Sequence, residues 1–281
     1  MSPAKFLTLN NGKKISSLGL GTWELTNAYE IVKAGLKVGY RTIDTASMYM
    51  NERECGEAIV DWIAEDPANN KREDVYYITK LWNDENGYEV AKKAIARCME
   101  RVKGLKYIDL LLIHSPLEGP TMRLETYKAM QEAVDSGIVK SIGVSNYGIA
   151  HVDELLNWPG LKYKPVVNEI EVSPWCMRQE LIDHCKSKGL DIIAFCPFSH
   201  AQRINDPDAL AIAKKHGVTS AQVLVRWSLQ KGYIPLPKTK TLSRLATNFD
   251  VYSFELSEED IKQLDHPNVH DPSDWEVTTC P

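Results

Sequence analysis

Short runs of apolar and β-branched residues alternate along this chain with longer stretches whose apolar positions recur every three or four residues. The short runs fall at residues 18–20, 41–44, 75–79, 107–113, 141–144, 166–170, 191–195 and 233–236. Each is too short for a helix and rich in strand-forming side chains, so eight strands are predicted. Helical spacing covers residues 29–38, 54–64, 90–102, 123–136, 152–158, 178–188 and 221–230. Gly104, Gly137 and Gly189 stand just past three of these stretches, where a residue free to turn left-handed ends a helix. Ahead of the first strand, residues 6–15 carry Asn11-Gly12, a pair suited to the tight turn of a β-hairpin.

Strands this apolar, each followed by a helix, predict a parallel sheet covered on its outer face. Eight such units in about 250 residues suit a closed (β/α)8 TIM barrel, with the hairpin closing its bottom. An open, doubly wound sheet is the structural alternative. No Pro/Gly/Ser-rich linker or repeat divides the chain, so one domain is expected over residues 1–281.

Composition changes this picture little. With 43% hydrophobic and 25% charged residues the chain is ordinary for a globular protein. Lys plus Arg number 33 against 38 Asp plus Glu, a formal charge of −5. A mildly acidic surface argues against nucleic acid as the main partner, because phosphate binding needs a basic face. No run of about 18 apolar residues suggests a membrane span. The start, Met-Ser-Pro-Ala-Lys-Phe, has no apolar run fit for a leader. The six cysteines form no C-x-x-C pair and show no zinc-ligand spacing with histidine, so reduced thiols, no metal and a cytoplasmic location are expected.

In a barrel of this kind, functional residues gather at the C-terminal ends of the strands. Asp44, Lys80 and His114 stand at three successive predicted strand ends, and Tyr49 lies in the loop just past Asp44. Singly, each has a plain structural reading: a helix cap, a surface charge, a packed imidazole. Together they fit proton transfer to an alkoxide. A phenol titrates near pH 10 when unperturbed, a nearby ammonium draws that value down, a carboxylate holds the ammonium, and an imidazole orients the carbonyl oxygen.

The residues around these positions resemble the aldo-keto reductases. Asp44-Thr45-Ala46-Ser47-Met48-Tyr49 followed by Asn51-Glu52 is similar to the family's Asp and Tyr segment. Thr79-Lys80-Leu81-Trp82 is similar to its Lys segment, and Ile113-His114-Ser115-Pro116 to its His segment. Gly143-Val144-Ser145-Asn146-Tyr147 and the stretch from Pro237-Lys238 onward match as well, so the resemblance runs from about residue 6 to about residue 265. It is strongest to small microbial and yeast members, the group holding the 2,5-diketogluconate reductase-like enzymes. The resemblance implies reduction of a small carbonyl compound by NADPH in a protein that is commonly a monomer. It implies a catalytic tetrad of Asp44, Tyr49, Lys80 and His114. It assigns Ser145, Asn146 and Glu169 to the nicotinamide end of the cofactor, Phe195 to the ring-stacking position, Lys238, Thr239, Arg244 and Asn248 to the adenosine end, and Thr22 to the cofactor site. That last group has a physical reading too. A Lys, an Arg and the start of a short helix suit a phosphate monoester, which NADPH carries and NADH lacks.

The chain departs from the family pattern at several places. Glu169 replaces the usual Gln, placing negative charge where a neutral amide is common. Phe195 replaces Tyr, Met50 a common Gly, and Ser115 a frequent Trp. With Trp23, Met48, Trp82 and Ser115 as expected walls, the pocket is predicted to be roomy. Trp275, on a short C-terminal tail, is expected to be ordinary core.

Two rival readings fit parts of the sequence. Tyr76 and Lys80 fit the Y-x-x-x-K spacing of short-chain dehydrogenases, yet they lie in a strand and no third glycine follows Gly19-Leu20-Gly21. A slow-turnover, NADPH-binding regulatory module of the same fold is the reading from another class.

Overall fold

The computed structural model describes residues 6–281; the first five residues of the stretch read above for a leader lie outside the described residues. The hairpin forms as β1 (Phe6–Thr8) and β2 (Lys14–Ser16), antiparallel, with Leu7 opposite Ile15. Eight strands follow: β3 (Gly19–Gly21), β4 (Thr42–Asp44), β5 (Tyr76–Leu81), β6 (Ile108–Ile113), β7 (Val139–Ser145), β8 (Val167–Glu171), β9 (Asp191–Phe195) and β10 (Ile234–Pro235). They pair parallel in chain order. The Gly21 amide donates to the Pro237 carbonyl at 3.2 Å, which brings the last strand's end onto the first. The close approach favours glycine. A Cβ on Gly19 would lie 2.4 Å from Leu236 Cδ2.

Helices α1 (Ala28–Val38), α2 (Glu52–Glu65), α3 (Tyr88–Arg101), α4 (Gly119–Asp135), α5 (Ile149–Asn157) and α6 (Gln179–Ser187) connect successive strands. Two helices, α7 (Pro207–His216) and α8 (Ser220–Gln230), lie between β9 and β10, and α9 (Ser243–Phe249) and α10 (Glu258–Leu264) follow. Gly137 and Gly189 take positive φ just past α4 and α6, as the helix-end reading requires. Gly104 instead sits inside a 3-10 turn, and Lys106 takes the left-handed position.

The two-residue period of a strand sorts every barrel position. Ile43, Tyr77, Leu111, Val144, Ile170 and Ile192 face the helices. Tyr76, Ile78, Leu110, Leu112, Val167, Ile193 and Ile234 face inward, where Leu9 and Ile15 of the hairpin join them. The hairpin is fastened at the strands' N-terminal ends. Asn10 Nδ2 donates to the carbonyls of Pro165 and Gly189, and Asn11 Nδ2 to Ser141 Oγ. The bottom is thus plugged, and polar side chains with inward parity collect at the other end.

Residues after α10 cross that open end. The buried Glu171 carboxylate accepts from Ser273 N, Ser273 Oγ and Asp274 N at 2.6–3.0 Å. Arg178 pairs with Glu276 at 2.7 Å, and His151 Nε2 meets the Cys280 carbonyl at 2.8 Å. Gly148 admits the tail closely: a Cβ there would sit 1.8 Å from the Thr278 carbonyl oxygen. The atom it would meet belongs to backbone, so it does not give way easily. Gly148→Ala is therefore expected to lift the tail at a cost of about 1–3 kcal/mol. Hydrogen exchange over residues 270–281 should speed up, and unchanged protection there would count against this packing.

Candidate active site

Strand parity explains why the charged residues converge. Asp44 lies two positions from Thr42 with the helix-facing Ile43 between them. Lys80 continues the inward series Tyr76, Ile78, and His114 continues Leu110, Leu112. Glu169 follows Val167 in the same way. Outward parity sends Thr79 to Glu52 instead, at 2.5 Å.

Lys80 is 1% exposed. Its Nζ lies 2.6 Å from Asp44 Oδ1, 3.1 Å from Glu169 Oε1 and 3.1 Å from the Thr45 carbonyl. One ammonium thus faces two buried carboxylates. Burial works against the Lys80 charge, and the two carboxylates and Tyr49 override it, holding its pKa above the ordinary value. Burial pushes Asp44 up, against the pull of Lys80. Burial and the neighbouring Asp44 push Glu169 up to about 8. Glu169 is thereby biased toward its protonated form, and its Oε2 is buried without a hydrogen-bond partner.

Tyr49 ends a 3-10 turn, Ser47–Tyr49, pinned by Ser47 Oγ donating to Glu85 at 2.5 Å. Met50 closes the turn left-handed, at φ 60°, a conformation that glycine adopts without strain. The half-buried Tyr49 ring has Lys80 Nζ 5.2 Å from its centroid and meets the His114 ring edge-on at 5.6 Å. Burial raises the phenol's pKa; Lys80 pulls it down, while Asp44 and Glu169 push it up. The net effect is upward. The draw of Lys80 anticipated from sequence is present but outweighed. Burial and Lys80 hold His114 well below the ordinary histidine range, so its imidazole is neutral, and its Nδ1 has no partner. Asn146, left-handed at φ 61°, donates from Nδ2 to the His114 carbonyl at 3.0 Å.

Asp44, Tyr49, His114 and Glu169 border a cavity of about 330 Å³. Trp23, Met48 and Trp82 complete it on one side, Ser145, Asn146 and Phe195 on the other. Lys80 lies behind this wall. Thr22 is buried, its hydroxyl donating to the Asp44 carbonyl at 2.8 Å, and so supports the site from outside. The Ser115 hydroxyl turns to Asn83 Oδ1 at 2.7 Å and is not part of the cavity wall.

At the cavity's far side stands Lys238, over the Trp23 ring at 4.9 Å. Burial lowers its pKa, and its ion-pair partner, Glu24, is 3.8 Å away. A cation so loosely paired fits an anionic ligand group. Thr239 Oγ1 is occupied by the turn at Thr241, Arg244 is exposed on α9, and Asn248 is buried on the same helix. None of these three borders the cavity.

Trp275 corrects the expectation of ordinary core. The tail lays it in the cavity wall, 5.5 Å from the Trp82 ring, which in turn meets His114 at 4.8 Å. The anchor that puts it there, Glu171, reads in sequence only as an inward position. Cys196, His200 and Asp274 also border the cavity and were passed over. Cys196 and His200 are four residues apart, which corrects the reading that no cysteine stands at ligand spacing from a histidine.

Comparison with known proteins agrees with this geometry. An uncharacterised oxidoreductase of Saccharomyces cerevisiae is 59% identical over 279 residues, 99% of each chain. The crystal structure of an aldo-keto reductase from a Medee basin deep-sea metagenome library superposes with TM-score 0.90 at 36% identity, covering 99% of this chain and 100% of that one. A Bombyx mori aldo-keto reductase in complex with NADP gives 0.86 at 31% identity, covering 94% and 93%. The profile of the Aldo/keto reductase family matches residues 17–268. With strand-end carboxylate, ammonium and imidazole around a half-buried phenol, this chain belongs to the aldo/keto reductase family.

Proposed function

We propose that the protein reduces aldehydes and ketones, α-keto ester and sugar-type carbonyls among them, to alcohols with NADPH, and that Tyr49 donates the proton. The reading rests on one observation: a phenol that shares a buried site with a doubly paired ammonium and opens, beside a neutral imidazole, onto a cavity. The NADP bound by the silkworm relative supports the choice of cofactor.

NADPH, when bound, would supply the hydride. The residues fit it in kind. Ser145 and Asn146 offer polar groups on the cavity wall, Phe195 offers a ring face, and Lys238 offers a cation for a phosphate. The chain's own groups then handle the proton. His114, neutral, has one ring N–H to direct at a carbonyl oxygen. Because Tyr49 titrates above its ordinary range, it stays protonated across working pH, and its proton transfer leans on Lys80, which draws the phenol's pKa down against burial. The phenolate left behind gains from Lys80, which Asp44 above all keeps charged. Glu169, while protonated, adds no negative charge to the cavity, which removes the penalty that its place in the sequence suggested. The tryptophans and the tail exclude water on the side facing solvent.

Tyr49→Phe is expected to lower kcat by about 10²–10⁴-fold with little change in NADPH affinity. Retained activity would refute the assignment. No turnover by the unaltered protein across a panel of aldehydes and α-keto esters would favour the regulatory-module reading. Comparison of kcat/KM for the two cofactors should show preference for NADPH, and preference for NADH would contradict the role given to Lys238.

The sign of the pH effect follows from Glu169. Its pKa rises from an ordinary 4.5 to about 8 in the folded chain. Between these values the folded state holds a proton that the unfolded state releases. The stability it contributes is complete below the ordinary value and is lost as pH rises through about 8. Gln carries no such proton. The Tm of the wild type relative to Glu169→Gln should therefore decline from about pH 5 to about pH 9, and a flat difference would contradict it. At the alkaline end, where Glu169 is ionised, Glu169→Gln should also lower the KM for NADPH.

A further inference from the structure

Beside the catalytic cluster, the cavity wall carries a second group of donor atoms that the proposed reaction leaves unused. Cys196 Sγ lies 3.3 Å from His200 Nε2, and Asp274 Oδ2 lies 3.6 Å from the same nitrogen. All three donor atoms fall within 4.8 Å of one another, and all three residues are half-buried. We propose that Cys196, His200 and Asp274 form a binding site for one divalent cation of the Zn²⁺ class, with its open coordination position toward the cavity.

The arrangement distinguishes a metal site from a catalytic triad. In a triad the base uses its two ring nitrogens for two partners. Here thiol and carboxylate converge on one nitrogen, which has a single proton or a single lone pair to offer. A cation among the three atoms serves all of them at once. Tetrahedral bonding at zinc's usual bond lengths puts neighbouring donors about 3.4–3.6 Å apart, close to the two separations from His200 Nε2. A soft thiolate, an imidazole and a carboxylate select a borderline cation over Mg²⁺ or Ca²⁺.

The local chain is built to hold the donors. Cys196, Ser199, His200 and Ala201 all take positive φ, a run that bends His200 back toward Cys196. The Ser199 amide closes on the Cys196 carbonyl at 2.9 Å, and Ser199 Oγ reaches Ser173. The His200 ring rests edge-on against Trp23 at 5.2 Å. Asp274 is held by its amide on Glu171 and by accepting from the Trp275 amide at 2.8 Å. The site therefore joins the β9 loop to the C-terminal tail. On binding, the Cys196 thiol releases its proton to solvent as the sulfur–metal bond forms, and no electron changes hands. Because the three residues border the cavity, a bound cation would compete with, or hold an oxygen of, whatever enters it.

Titration of the metal-free, full-length protein with Co²⁺ tests the site without any assay of activity. One Co²⁺ per chain should give a near-ultraviolet sulfur-to-cobalt charge-transfer band that Zn²⁺ bleaches. Cys196→Ala should abolish the band, and His200→Gln should weaken binding at least about tenfold, as should Asp274→Asn, with circular dichroism confirming the fold of each. Cys280, whose Sγ is 3.8 Å from His151 Nε2, is the control; Cys280→Ala should leave the band intact. No band at millimolar Co²⁺, or a band that survives Cys196→Ala, would overturn the proposal.

Discussion

Everything at the open end of this barrel depends on one ammonium placed between two carboxylates. Lys80 is nearly inaccessible, yet its charge persists because Asp44 and Glu169 both approach it. Three ionised groups at that depth would leave a surplus negative charge in a medium that solvates it badly. Burial eases this by raising the pKa of both Asp44 and Glu169, which favours a proton on the pair. Loss of Lys80 would strand the Asp44 carboxylate beside Glu169, and breaking a buried pair costs about 3–5 kcal/mol. The same balance governs Tyr49, whose phenol is raised by burial and by negative neighbours and lowered by Lys80 alone.

Geometry brings these groups together in two ways. Within a strand, the period of two carries the apolar filling of the barrel up to a polar last position. Around the rim, the tail acts as a strap. Glu171, one inward step beyond Glu169, holds Ser273 and Asp274 and so fixes Trp275 against Trp82. One short strand, β8, thus supplies both a member of the charge cluster and the anchor of the cavity's outer wall.

The architecture was largely legible in the sequence, because eight apolar runs separated by helical periodicity leave few alternatives once the strands are buried on both faces. Asp44, Lys80 and His114 could be placed from strand ends alone, and Tyr49 from the motif that follows. The partner of Glu169 could not. Its contact with Lys80 crosses the barrel from β8 to β5, and no local pattern reports such a distance. Ser115 was expected in the pocket wall, but a hydroxyl turns to its best acceptor, and Asn83 is nearby. Two helices were passed over although their end signals stand in the sequence. Asp206-Pro207 with Gly217 frames α7, and Ser257 with Asp260 forms the capping box of α10. Their apolar faces are narrow, so periodicity alone missed them.

The distribution of charge around Lys80 is open to direct observation by infrared spectroscopy. At neutral pH the protein should show the carbonyl stretch of a protonated, buried carboxylic acid; this band should be absent from Glu169→Gln and should fade as pH passes about 8. A spectrum without that band at neutral pH, or one that Glu169→Gln leaves unchanged, would contradict the shared proton on which the site is built.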